Sequence, residues 1–305
     1  MTKQAEIQIW HQVKEPITLS DNLYRNPFRV RIIEEDIELP VALEKEVSEK
    51  WTLLVQEKEK LKQEIFEDQV LYLKNLEIQD TNTQVEVIKR GFRYAAIFNR
   101  NLEFHERIGE LNKYSLLTIS THVHFVTSDN KLIFGTKKNQ GNQISGFSGF
   151  PNADKDSKTI GALTYQDMYR TLKTKLGPEA KGLMPKIDMT FPTGVIYVGT
   201  PGLRGTDADY LARLEIDSEN VQTLFKESHQ FDKGLYLVDF KPVQLAEFIK
   251  NIHAEGKTIS RYALGAMVLE TGIFHSPREE RRLMDVINEF ANTSMIHGNQ
   301  TDYFS

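Results

Sequence analysis

One segment, residues 116–139, limits the possible folds more than any other part of the sequence. Residues 116–127 read LLTISTHVHFVT, in which β-branched and aromatic side chains alternate with polar ones, as they do in a half-buried strand. The polar residues Ser128, Asp129 and Asn130 follow, and such residues form turns. The next stretch, KLIFGTKKN, is again typical of a strand. The sequence therefore predicts a β-hairpin, so the fold must contain a sheet.

Strands and amphipathic helices alternate on both sides of this hairpin. We predict further strands at 68–79, 83–89, 193–200, 209–217 and 234–240, and helices at 41–62, 91–101, 163–177, 218–228, 242–252, 260–272 and 276–291. The last helix begins with Ser276, Pro277 and Glu279 in the spacing of a capping box. The pattern predicts a mixed α/β (α+β) protein with a long N-terminal helix and C-terminal helices.

The composition restricts the class of protein. The chain has 305 residues and no cysteine, which excludes disulfides, thiolate metal sites and a cysteine nucleophile. Its start, MTKQAEIQIW, lacks the pattern of a signal peptide, and no apolar stretch has the length of a membrane span. We therefore expect a cytoplasmic protein without membrane association. The net charge of −5 argues against nucleic acid as an obligatory partner.

The predicted helix at 163–177 carries a family resemblance. It contains Arg170 and Leu172 and ends at Gly177, and the segment SGFSGFP before it contains Gly146 and Gly149. This order of elements and these residues resemble the Nudix hydrolases, which cleave nucleoside diphosphates linked to another moiety. Their signature is Gly, five residues, Glu, seven residues, then Arg-Glu-U-x-Glu-Glu-x-Gly-U, where U is aliphatic.

The resemblance implies a Nudix-like mixed sheet sandwiched by helices. It implies three parts: an N-terminal extension at 1–66, which contains an amphipathic helix, a Nudix-like domain at 67–252, and a C-terminal helical extension at 253–305. The helix at 41–62 is a packing helix in the simplest interpretation, and it is also a candidate contact between copies of the chain in a homo-oligomer.

The signature's acidic residues are missing. Thr171, Thr174 and Lys175 stand where the three clustered glutamates belong, Ala162 replaces the earlier glutamate, and Pro178 replaces the final aliphatic residue. Mg²⁺ and Mn²⁺ require oxygen ligands such as carboxylates. A lysine about 4 Å from another cation is repelled by roughly 4 kcal/mol at an effective dielectric of about 20. We therefore expect the box helix not to bind these metals in the usual way.

Two functional hypotheses remain. In the one that we favour, the chain binds a nucleotide or another phosphorylated small molecule without standard metal-dependent hydrolysis. Lys175 replaces the metal as a point charge, and the glycine-rich loop approaches the anion with its backbone N–H groups. A solvated lysine is the alternative for Lys175. Ligand contacts are expected from a set of seven residues: Gly146, Gly149, Arg170, Thr171, Thr174, Lys175 and Arg204. Arg204 lies in GTPGLRGTD (199–207), which we interpret as a loop between strands and in which a solvated arginine is the alternative.

In the other hypothesis the chain is a divergent pyrophosphohydrolase that uses Mg²⁺ or Mn²⁺ with carboxylates outside the box. The candidate catalytic residue is Glu215, which lies near other acids of the same region, and the candidate metal ligands are Asp154, Asp156 and Glu179. No cofactor is expected otherwise.

Two further groups have more than one interpretation. His122 and His124 are two residues apart on a predicted strand and so face the same side of the sheet. Hydrogen-bonded structure is the ordinary role of such a pair, and a zinc or iron site is the alternative, for which the sequence offers no third ligand. A group of aromatic residues is interpreted as core, with stacking on a nucleotide base as the alternative: Phe92, Tyr94, Phe98 and Phe104.

Overall fold

The computed structural model describes most of the chain. The described residues are 5–11, 28–34, 38–62, 65, 67–79, 82–100, 117–136, 143–154, 157–160, 163–166, 183–200, 203–225, 234–291 and 293–297.

Fifteen strands of the described chain form one mixed sheet. They are β1 (Ala5–His11), β2 (Phe28–Ile32), β3 (Gln69–Gln79), β4 (Asn82–Gly91), β5 (Thr118–Val126), β6 (Lys131–Thr136), β7 (Gln143–Ser145), β8 (Phe147–Gly149), β9 (Ser157–Ile160), β10 (Leu163–Gln166), β11 (Ile187–Thr200), β12 (Leu203–Leu214), β13 (Leu235–Asp239), β14 (Thr258–Ile259) and β15 (Thr293–His297). The main path is β15-β1-β11-β12-β5-β3-β4-β2-β10-β9. The other five strands attach through β5, because β6 and β8 pair with β5, β7 and β13 pair with β6, and β14 pairs with β7.

Six α-helices accompany the sheet in the described chain. They are α1 (Val41–Lys60), α2 (Phe92–Arg100), α3 (Ser218–Phe225), α4 (Pro242–Ala254), α5 (Arg261–Phe274) and α6 (Pro277–Phe290), and Met184–Lys186 forms a short 3₁₀ turn. The predicted mixed α/β class is thus confirmed, and parallel pairs such as β5 with β12 occur beside antiparallel ones. Among the described residues, no helix combines the length and the hydropathy that a membrane crossing requires.

Local sequence patterns explain the hairpins and several helix ends. The predicted hairpin is β5 and β6, and Asn130 adopts a left-handed conformation with a φ of 63° in its turn, which asparagine tolerates better than most residues. The capping box of α6 is also confirmed, since the Ser276 hydroxyl accepts from the Glu279 backbone N–H at 3.3 Å. It also donates to the Glu279 carboxylate at 3.1 Å.

The apolar side chains form packed clusters on the sheet. One lies between α1, α2 and strands β3 and β4, and it contains Tyr94 and Phe98, with Phe92 packed against it. The interpretation of these aromatic residues as core is therefore confirmed for the three that are described, and Phe104 lies outside the described residues. A second cluster joins α4, α5 and α6 to β1 and β11. In this cluster α5 approaches the sheet so closely that a Cβ atom on Gly265 would lie 2.7 Å from the Ile196 side chain.

The two ends of the described chain meet in the same sheet. β1 pairs antiparallel with β11 and parallel with β15. Strands from the predicted N-terminal and C-terminal extensions therefore lie side by side, and β1 also hydrogen-bonds to β11 of the predicted domain.

Two local predictions are wrong. The helix predicted at 163–177 does not begin there, because Leu163–Gln166 form β10, which pairs with β9 and β2. The β-branched and aromatic side chains of this segment suit a strand once such partners exist; residues 167–177 lie outside the described residues. The loop predicted at 199–207 is mostly strand, because the β11–β12 ladder continues to the pair Thr200 and Leu203.

Candidate functional site

Strand β5 carries several buried polar side chains. His122 and His124 point to the same face of this strand, as their spacing predicts, and both side chains are 0% exposed. Their rings lie 4.7 Å apart and nearly perpendicular to each other. Imidazoles in such a position need hydrogen-bond partners, because an unsatisfied buried polar group costs about 1–3 kcal/mol.

Asp209 is the partner of His122. It lies directly opposite His122 in the parallel pair of β5 and β12, and its Oδ1 is 2.8 Å from the His122 Nδ1. Its other oxygen accepts a short hydrogen bond from the Thr193 hydroxyl. Thr193 lies at a bulge of β11, between Pro192 and Gly194, where the register with β12 shifts. Bulges often redirect a side chain in this way.

Glu270 is the partner of His124. It is a fully buried residue of α5, and its two carboxyl oxygens lie 2.9 and 3.0 Å from the His124 Nδ1. The other face of this imidazole packs edge-on against Phe134 of β6, with ring centres 4.8 Å apart. We call the four residues His122, His124, Asp209 and Glu270 the histidine–acid cluster. Three separate elements, β5, β12 and α5, therefore contribute to it.

Burial removes charge from this cluster. Desolvation lowers the pKa of His124 to about 4, although Asp209 acts in the opposite direction. Desolvation also raises the pKa of Asp209 to about 7, against the effects of His124 and of the Thr193 hydroxyl. The pKa of Glu270 is raised well above its ordinary value, first by burial and then by the neighbouring Asp209. Burial thus favours the uncharged forms of His124 and Glu270, whose Nδ1 and carboxyl oxygen atoms lie within hydrogen-bond distance of each other.

Gly146 lies against both imidazoles of the histidine–acid cluster. A Cβ atom at this position would lie 2.5 and 2.8 Å from the Cδ2 and Nε2 atoms of His124, and 2.6 Å from the Nε2 atom of His122. Gly146 lies between β7 and β8, and β8 pairs with β5 so that Ser148 is opposite His122. The close approach of the two imidazoles thus explains the glycine, and the His124 Nε2 atom has no hydrogen-bond partner among the described residues.

Among the described residues, the cluster has the outer part of a metal site without a complete ligand set. Histidines that bind metals usually hold a carboxylate on their other nitrogen, as both of these do. Within the described ranges, however, no three His, Asp or Glu side chains are placed so that they could hold one ion. Gly146 lies close to both Nε2 atoms, which a Cβ atom on this residue would approach to 2.6 and 2.8 Å. In this arrangement the cluster joins β5, β8, β12 and α5, and its acid–base groups do not reach solvent.

Other predicted site residues lie apart from the cluster. Gly149 is in β8, opposite Thr121. Asp154 is exposed and forms an ion pair with Lys89 at 3.0 Å. Glu215 is exposed at the bend that follows β12, about 20 Å from Asp209 along the chain at the usual strand rise.

The structure does not describe the side chains of the remaining predicted residues. Arg204 belongs to β12, and its side chain is not described. The others lie outside the described residues: Asp156, Arg170, Thr171, Thr174, Lys175 and Glu179.

Sequence reasoning found the two histidines but not their partners. Asp209 is 87 residues from His122, and Glu270 is 146 residues from His124. The alternation of β5 is a local signal, whereas the identity of a partner depends on which strand and which helix pack against it. Glu270 had one local sign, because it is an acid within the apolar segment LGAMVLETG.

Comparisons with known proteins assign no family. No protein-family model matches this sequence, and no curated protein matches it at a significant level.

Proposed function

We propose that this chain is a binding protein for a nucleotide or a nucleoside-diphosphate-linked molecule, built on a Nudix-like scaffold without standard metal-dependent hydrolysis. The partial signature around Arg170 and Gly177 supports the scaffold. Likeness of fold is an analogy for function, and the site itself has to carry the proposal.

The observation that carries the proposal is that several of the described carboxylates already have hydrogen-bond or ion-pair partners. Asp209 and Glu270 hold imidazoles, and Asp154 holds an ammonium group. Asp207 accepts from the Ser120 hydroxyl, and Asp217 accepts from the backbone of Asn220 at 2.9 Å.

Within the described residues, therefore, the acids near β12 do not converge on a common point where Mg²⁺ or Mn²⁺ would need several oxygens. This argues for binding over the alternative, a divergent pyrophosphohydrolase. Asp156 and Glu179 remain the candidates through which that alternative would operate, together with Glu215.

In the proposed mode, a cation of the protein takes the role that a metal has in the hydrolases. Lys175 neutralises a phosphate group directly, and Arg170 and Arg204 are further candidates because a guanidinium pairs with phosphate through two hydrogen bonds. Thr171 and Thr174 contribute hydroxyls on the same side of the predicted helix. Binding of this kind needs no divalent metal, which makes the proposal distinguishable from catalysis.

The test is binding with and without metal. We expect ADP-ribose, nucleotide sugars or dinucleotides to raise the Tm in the presence of EDTA, because a ligand of the folded state stabilises it by about 2.7 kcal/mol at 100 times its Kd. Lys175→Ala should abolish this shift, and Lys173→Ala, which removes an ammonium two residues away, should retain it.

The outcomes separate the two hypotheses. Release of nucleoside monophosphate that requires Mg²⁺ or Mn²⁺ and is lost in Glu215→Gln would establish the pyrophosphohydrolase instead. A panel without any metal-free thermal shift would refute the binding protein. The cytoplasmic location and a homo-oligomer through α1 stay predictions, and light scattering of the full chain measures the second.

A further inference from the structure

A separate cavity lies among the C-terminal elements, away from the histidine–acid cluster. It has a volume of about 270 Å³ and is bordered by α4, β14, the first turn of α5 and the end of α6. Sites for drug-sized ligands usually have roughly 300–1,000 Å³. A ligand of this cavity is therefore small.

The inner surface of the cavity is apolar. Ile249 and Ile252 of α4 and Leu264 of α5 are buried, and each contributes to the wall. Phe290, at the end of α6, supplies an aromatic ring. A ligand with an aromatic or branched aliphatic body would cover this surface and remove it from water, at about 25 cal/mol for each Å² of apolar area.

The charged groups of the cavity are all basic. Lys257 and Arg261 line it, and its described lining contains no aspartate or glutamate, although the whole chain has a net charge of −5. The Lys257 ammonium is partly compensated, since it donates to Glu255 at 2.5 Å and to the Tyr236 hydroxyl at 3.3 Å.

Arg261 differs from Lys257 in its hydrogen bonding. Its side chain is partly buried, and its Nε atom is buried without a hydrogen-bond partner among the described residues. Burial lowers the pKa of Arg261, because loss of water disfavours the charged guanidinium. An anion placed in the cavity would supply the missing acceptor, and a guanidinium fork pairs well with carboxylate or phosphate.

We propose that this cavity binds a small organic anion with an apolar body, and that Arg261 holds its carboxylate or phosphate group. The apolar body lies against Ile249, Ile252, Leu264 and Phe290. Lys257 adds a second, weaker cation at the rim. Arg261 is also the first residue of α5, whose positive end adds to the attraction for an anion. This inference is independent of the proposed nucleotide site.

Calorimetry of the full chain with matched ligands tests the inference. The probes are 4-phenylbutyrate, phenyl phosphate and the neutral 4-phenyl-1-butanol, and the two anions show whether a carboxylate or a phosphate is preferred. At least one anion should bind about tenfold or more tightly than the alcohol, because only the anion forms an ion pair and charge-assisted hydrogen bonds with the guanidinium. Equal binding of the alcohol, or no binding of either anion at millimolar concentration, would overturn the proposal.

Variants identify the anchor. Arg261→Gln should weaken the binding of the preferred anion about tenfold or more and leave the binding of the alcohol unchanged. Arg282→Gln, a matched change at an exposed position of α6, should bind like the wild type. Lys257→Gln should lose less affinity for the anion than Arg261→Gln does. It tests the cavity even if the Arg261 variant does not fold. Anion binding that none of these variants alters would contradict the assignment.

The two proposals fail separately. Loss of nucleotide binding in Lys175→Ala with normal phenylbutyrate binding would bear on the proposed nucleotide site and leave the assignment of this cavity unchanged. Loss of phenylbutyrate binding in Arg261→Gln with a normal nucleotide-induced shift in Tm would concern only this cavity.

Discussion

Replacement of Gly146 by alanine tests the packing of the histidine–acid cluster most directly. The added methyl carbon would lie 2.5–2.8 Å from three imidazole atoms, whereas ordinary van der Waals contact begins at 3.4 Å. Neither ring moves easily, because each has a hydrogen bond of 2.8–3.0 Å on its Nδ1 atom and is fully buried. Overpacking of this kind costs about 1–3 kcal/mol. We expect a loss near the upper end of that range.

The sign of this effect is informative. Gly146 does not have a left-handed backbone, so alanine at this position has no penalty of that kind. Its effect on the unfolded state would by itself stabilise the chain by about 0.4–1 kcal/mol. The free energy of unfolding, measured by urea denaturation, therefore separates two explanations of the glycine. A loss of less than about 0.5 kcal/mol, or a gain, would refute the packing explanation.

A double-mutant cycle supplies the control for Gly146→Ala. His124→Ala removes one of the imidazoles that the new methyl group meets, so the double variant should lose less stability than the sum of the two single variants. Contacting residues commonly show interaction energies of about 0.5–3 kcal/mol. Strict additivity would indicate that the methyl group and the ring do not collide.

Two further predictions concern titration and helix capping. Burial raises the pKa of Asp209 to about 7 in the folded chain, against an ordinary value of 3.8, so the folded state binds an extra proton between these values and gains stability as the pH falls. His124, with a pKa of about 4 against 6.5, has the opposite effect as the pH falls from 6.5 to 4. Asp209→Asn removes the first effect, so its stability relative to the wild type should fall from pH 7 to 4 by up to about 1.4 kcal/mol per pH unit. Parallel urea-denaturation profiles of the two proteins would contradict this. Ser276→Ala should lower the free energy of unfolding by about 1 kcal/mol through loss of the α6 cap, Ser276→Thr should retain most of it, and equal Tm values for all three proteins would disprove the role of the cap.

Local patterns in the sequence determined many of the elements. The alternation at 116–127 predicted β5 and the shared face of His122 and His124, and the polar turn predicted β6. The capping residues before α6 predicted the start of that helix. Such features depend on residues within one or two turns or on the two-residue period of a strand, so they can be read without knowledge of the rest of the chain.

Tertiary structure decided what these elements meet. Leu163–Gln166 resembled one side of a helix, and only pairing with β9 and β2 makes it a strand. The proximity of Asp209 and Glu270 to the histidines likewise depends on the parallel pairing of β12 with β5 and on the packing of α5 against the sheet. Gly146, which the sequence analysis assigned to a ligand, contacts two imidazoles because β8 pairs with β5. Periodicity fixes the face on which a side chain lies, whereas burial energy summed over the whole sheet fixes the partner that this face receives.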